Sequence, residues 1–159
     1  MDLLEALVQG MKLERDGYEF YTRMADRFED ADTKAMFSQL AADEVDHLNF
    51  IKRQYDALGE GKGWSAIPEM ELVDAVDAVS VVFPPDKVAL EELSAEPSEE
   101  DALLFALAVE DKSFKLYYNS TGIAKDKEAK NLFMQLAGAE QTHFEVLMQR
   151  YDALFGYPG

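Results

Sequence analysis

Residues 41–50 read AADEVDHLNF, and residues 137–146, which lie 96 positions further on, read AGAEQTHFEV. Each stretch holds a Glu-x-x-His, and together they use both histidines of the 159-residue chain. Three residues advance an α-helix by about 300°, so Glu44 and His47 project from nearly the same side, as do Glu140 and His143. The flanking residues are apolar at helical spacing. One stripe runs through Phe37, Leu40, Glu44, His47, Ile51, Tyr55 and Leu58, and another through Phe133, Leu136, Glu140, His143, Leu147, Tyr151 and Leu154. Glutamate and histidine are the intruders on faces otherwise suited to a bundle core.

The shift of 96 extends well beyond these segments. It places Glu14 on Glu110, Tyr21 on Tyr117, Asp30 on Asp126, and Phe37 on Phe133. It also places Gln39-Leu40-Ala41 on Gln135-Leu136-Ala137, and Tyr55-Asp56-Ala57-Leu58 on Tyr151-Asp152-Ala153-Leu154, without a gap. Two copies of one helical hairpin follow. The partner helices carry Leu4, Leu7, Met11, Glu14, Tyr18, Tyr21, Ala25 and Phe28 in the first copy and Leu103, Leu107, Glu110, Phe114, Tyr117 and Thr121 in the second. Asp30 or Asp32 can cap the second helix by accepting its free N–H groups, which makes the first two helices an antiparallel pair.

In such a hairpin, residues equidistant from the turn share a height. Glu14 and Glu44 have their midpoint at residue 29, next to Asp30, and Glu110 and Glu140 have theirs at 125, next to Asp126. Each hairpin therefore sets a glutamate opposite a Glu-x-x-His. Packed in quasi-twofold fashion, the two bring four carboxylates and two imidazoles to the middle of one bundle. That many charges in a low-dielectric core cost several kcal/mol each unless they are paired, protonated or bound to metal. Two divalent ions match four ionised carboxylates with neutral imidazoles, and mixed oxygen and nitrogen donors suit iron or manganese. One Glu from each of two helices plus Glu-x-x-His from the other two is the known di-iron carboxylate pattern.

These motifs, Glu14 to Tyr21, Glu44-Val45-Asp46-His47, Glu110 to Tyr117 and Glu140-Gln141-Thr142-His143, resemble those of ferritin-like, rubrerythrin-type di-iron four-helix bundles. The resemblance covers essentially the whole chain apart from the crossover. It implies an all-α, ferritin-like antiparallel four-helix bundle: hairpin 1 over about 2–58, a crossover over 59–97, and hairpin 2 over about 98–155. It further implies that Glu44 and Glu140 bridge two irons, with manganese or a mixed pair as the alternatives. Glu14 and Glu110 would be terminal ligands, and His47 and His143 would each complete one metal. Tyr21 and Tyr117 are expected either to pack in the core or to hydrogen-bond a ligand carboxylate across the bundle. Ser113 stands where rubrerythrins tend to carry a further glutamate, which argues against a redox-linked ligand exchange of their kind.

The activity implied is reduction of hydrogen peroxide. The chain has no cysteine and so no rubredoxin-like iron site, and an external electron-donor protein is expected. The alternatives are a ferroxidase that handles iron with dioxygen, and a non-catalytic metal-binding helical protein. A homodimer is the expected assembly.

The remaining sequence constrains partners more than chemistry. With 32 acidic and 15 basic residues the formal net charge is −17, which repels nucleic acid and anionic membranes. No run approaches the ~20 apolar residues of a membrane span, and the N-terminus is a poor signal peptide, so a cytoplasmic location is expected. Residues 59–97, with GEGKGW and Pro68, Pro84, Pro85 and Pro97, read as a long connection crossing from one end of the bundle to the other. Its valines are expected to cover the bundle or a partner subunit, and Trp64 to anchor it. Ser98 and Asp101 resemble a capping box opening the third helix. Asp43 lies near the His47 side and could orient an imidazole, but its repeat partner is Ala139, and the reading favoured is a surface aspartate. Asp46, about 200° from Glu44 around the helix, reads as solvated.

Overall fold

A computed structural model of the chain describes residues 2–64, 93 and 95–156. Four helices account for nearly all of them: α1 (Leu3–Arg27), α2 (Ala31–Gly59), α3 (Glu99–Ile123) and α4 (Lys127–Phe155). Helices α1 and α2 pack along each other as one hairpin, and α3 and α4 as the other. The hairpins meet through α1 against α3 and, over a shorter stretch, α2 against α4. This is the four-helix bundle expected from the repeat.

Local chemistry sets the helix ends. Asp30 accepts from the N–H groups of Asp32 and Thr33, and Asp126 from those of Glu128 and Ala129, so the repeat extends to the caps. Ser98 accepts from the Asp101 N–H at 3.1 Å, which is one half of the expected capping box. A reciprocal box opens α1 instead, between Asp2 and Glu5. Arg150 of α4 ties the two hairpins together at one end by reaching Asp30 and Thr33.

The core divides into two apolar blocks. One contains Phe20, Tyr21, Met24, Phe37, Leu40, Leu103 and Leu147; the other contains Leu7, Ile51, Tyr117, Phe133 and Leu136. Repeat partners land in opposite blocks: Tyr21 and Tyr117, Phe37 and Phe133, Leu103 and Leu7, Leu147 and Ile51. A quasi-twofold arrangement of the hairpins requires this. Trp64 packs against Phe133 in a T-shaped contact, anchoring the start of the crossover as expected.

The helical stripes need two corrections. Leu4, Tyr55 and Leu154 are exposed, because each lies near a helix end where the stripe outruns its neighbours. Leu13, Phe20 and Met24 are buried although they lie off the expected α1 stripe. Helix α1 contacts both α2 and α3, so its buried face is wider than a single seam. The expectation for the crossover valines concerns residues 72–83, which lie outside the described range. Among the described residues, no helix is long and apolar enough to cross a membrane.

Candidate metal centre

Between the two apolar blocks lies a polar layer made of Glu14, Glu44, His47, Glu110, Glu140 and His143, each no more than 4% exposed. The six residues inferred from the repeat thus come together. They form two overlapping groups, Glu14–Glu44–His47–Glu140 and Glu44–Glu110–Glu140–His143, and the facing donor atoms of each group lie within 4.8 Å of one another. Glu44 and Glu140 belong to both groups, while each group has one further glutamate and one histidine of its own. The imidazoles stack with their centroids 5.5 Å apart.

Both histidines turn Nδ1 toward the carboxylates. His47 Nδ1 lies 3.2 Å from Glu14 Oε2 and 3.3 Å from Glu140 Oε1. His143 Nδ1 has Glu44 Oε1 and Glu110 Oε1 at 3.5 Å and Glu140 Oε2 at 3.7 Å. The approach of His47 Nδ1 to Glu14 Oε2 is a hydrogen bond, but not every donor atom of the layer finds a partner. His143 Nδ1, Glu140 Oε1 and Glu110 Oε2 are buried without a hydrogen-bond partner among the described residues. Lone pairs converging on one another, close but out of line, are what a donor set for cations looks like. Carboxylate oxygens with imidazole nitrogen suit divalent iron or manganese, so the residues fit a dinuclear centre.

The electrostatics of the metal-free cluster point the same way. Burial pushes Glu44 well above the usual carboxylate range, and the neighbouring Glu14 and Glu140 push it further. Glu110 is raised to about 8, first by burial and then by Glu140. Glu14 also suffers burial, but His47 and the surrounding hydrogen bonds outweigh it and lower its pKa to about 2. Burial opposes charge on His47, yet Glu14 and Glu140 raise it to about 10; His143 is raised as well, with Asp43 foremost among the groups that overcome its burial. Burial and crowding thus push Glu44 and Glu110 toward their protonated forms, and the carboxylates push both imidazoles toward theirs. Two divalent cations could replace those protons.

Tyr21 and Tyr117 cross between the hairpins. Tyr117 Oη donates to Glu14 Oε1 at 2.7 Å, and Tyr21 Oη donates to Glu110 Oε1. Burial, followed by the neighbouring carboxylates, raises both phenols well above their ordinary range, so they remain donors.

Residues 5–96, more than half of the chain, match the family described as rubrerythrin. The chain belongs to the rubrerythrin family. That match covers the first hairpin and the crossover, and the second hairpin repeats the first residue for residue at the site. Comparison with functionally curated proteins finds no match. Among solved structures, a hypothetical protein from Pyrococcus furiosus superposes with a TM-score of 0.71 at 23% identity, covering 97% of this chain and 90% of that one. At that identity the likeness is one of fold. Rubrerythrin membership and the buried Glu/His layer together describe a protein with a candidate di-iron centre.

Three positions around the centre depart from the sequence reading. Asp43 is half-buried rather than a plain surface residue, with Oδ2 3.0 Å from His143 Nε2. The less favoured reading, an aspartate that orients an imidazole, is the one the geometry supports, and the imidazole is His143 of the other hairpin rather than His47 of its own helix; the alanine at the repeat position weighs against it in the sequence. Asp46 is also partly buried, with Oδ1 lacking a hydrogen-bond partner among the described residues, and burial raises its pKa. Gly17 carried no sequence signal. A Cβ there would meet Glu44 Cδ at 3.1 Å and Oε2 at 3.3 Å, so the missing side chain makes room for the shared carboxylate.

Proposed function

We propose that this rubrerythrin-family chain is a non-haem di-iron redox protein that reduces hydrogen peroxide with electrons from a separate donor protein. The observation carrying this reading is the pair of overlapping ligand groups that share Glu44 and Glu140. Glu14 and His47 would hold one iron and Glu110 and His143 the other, with Glu44 and Glu140 available to both. When bound, two adjacent ferrous ions supply the two electrons that, with two protons, convert hydrogen peroxide to two waters.

The chain's own residues provide the setting. Apolar blocks on either side exclude bulk water and keep the carboxylates from being solvated individually. The Tyr117 hydroxyl holds Glu14 and the Tyr21 hydroxyl holds Glu110, limiting how far each carboxylate can swing. With no cysteine in the sequence, thiolate-bound iron cannot be the source of electrons within this chain.

The test is to load the protein anaerobically with ferrous iron and mix it separately with hydrogen peroxide and dioxygen in a stopped-flow instrument. Faster oxidation by peroxide is expected, and equal or slower oxidation by peroxide overturns the assignment. One observation favours a second reading, an iron-oxidising centre using dioxygen. The buried residue at position 113 is serine, so the ligand set stops at six residues, as in bacterioferritin-like sites. A faster reaction with dioxygen would select that reading.

A further inference from the structure

The two hairpins supply matching ligands but different surroundings. His143 Nε2 lies 3.0 Å from Asp43 Oδ2 across the hairpin interface, and the Gln39 amide donates to Asp43 Oδ1 at 2.9 Å. The repeat places Gln135 on Gln39, but Ala139 on Asp43. Position 139 therefore offers His47 no carboxylate. In the neutral imidazole that binds metal, donation from Nε2–H outward to Asp43 would leave the Nδ1 lone pair of His143, which faces Glu44, Glu110 and Glu140, free for a cation.

A carboxylate behind an imidazole fixes its tautomer and ring orientation and makes it a better donor to metal; losing such a group costs about 10- to 100-fold in metal affinity. Resting on the dinuclear reading above, we infer that Asp43 is a positioning residue that makes the two metal positions unequal. The position formed by Glu110 and His143 with the shared carboxylates is the tighter one and fills first. The position formed by Glu14 and His47 follows. Near-symmetric ligands thus carry an asymmetry set by one residue outside the ligand set.

The test titrates the metal-free, full-length protein with cobalt(II) under anaerobic conditions, following visible absorption and heat. Wild type is expected to bind two ions in two resolved steps. Asp43→Ala, at a side chain 34% exposed and therefore tolerant of truncation, should weaken the first step about 10- to 100-fold and leave the second in place. Asp43→Asn keeps an oxygen that can accept from His143 without the charge, and should recover part of the lost affinity. If Asp43→Ala loses helical signal, Asp43→Asn carries the test through a smaller weakening of the same step. Two equal steps in wild type overturn the inference, as do variants that change neither step or weaken both alike; in each case the dinuclear centre still stands. If wild type fails to bind two cobalt ions per chain, the centre itself is overturned and the inference falls with it.

Discussion

Glu110→Gln should stabilise the metal-free protein while weakening its hold on metal. Glu110 is almost fully buried and its pKa is raised to about 8, so in the folded, metal-free state at pH 7 it carries a proton. Holding a proton at pH 7 on a group whose ordinary value is 4.5 costs about 3 kcal/mol of folding free energy. Glutamine is neutral at no such cost, is close in shape, and keeps an oxygen to accept from Tyr21. Urea unfolding of the metal-free proteins at pH 7 should therefore show the variant more stable by about 2–3 kcal/mol. The difference should shrink as the pH falls. An acid whose folded-state pKa is raised destabilises the fold above its ordinary value, so this contribution disappears by about pH 4.5 and is largest above about pH 8. Added ferrous or cobalt ion should reverse the ranking, because an amide is a poorer ligand than a carboxylate. A metal-free Glu110→Gln protein less stable than wild type at pH 7 would refute the picture of crowded carboxylates held neutral by burial.

Other perturbations separate the contributions. Gly17→Ala should keep the helix but displace the Glu44 carboxylate, shifting the visible spectrum of the cobalt(II) protein; an unchanged spectrum would show that Gly17 makes no room that matters. Tyr117→Phe removes the donor to an ionised Glu14 and should cost the metal-free protein about 2 kcal/mol, against about 1 kcal/mol for Tyr21→Phe, whose acceptor is protonated. Denaturant midpoints check the order. Asp16 is buried with no hydrogen-bond partner among the described residues, and burial followed by Glu19 raises it to about 7 against the pull of Arg15 and Lys12. Asp16→Asn should therefore gain stability at pH 8, by about 4 kcal/mol at most, and thermal melts should show the gain fading as the pH falls from about 7 toward 4.

The bundle and the six-residue layer were legible because they follow from one-dimensional quantities: an apolar period near 3.6, an offset of 96, and midpoints one residue from Asp30 and Asp126. Residues related by such a repeat must occupy equivalent places, and the two core blocks exchange partners as that demands. What depends on how α2 faces α4 was not legible in this way. Asp43 contacts His143 because two hairpins approach at a particular height and rotation, and the repeat argued against the contact by pairing Asp43 with Ala139. Gly17 matters through an absent side chain, which periodicity does not register. Asp16 and Asp46 fall outside the apolar stripes, and their burial depends on neighbours that helical phase does not specify.

Crystals of protein loaded anaerobically with ferrous iron, measured by anomalous diffraction at the iron edge, test the central claim most directly. Two peaks are predicted in each chain, both between the carboxylates of Glu44 and Glu140, one beside His47 and Glu14 and the other beside His143 and Glu110. A single peak, or iron bound away from this layer, would contradict it.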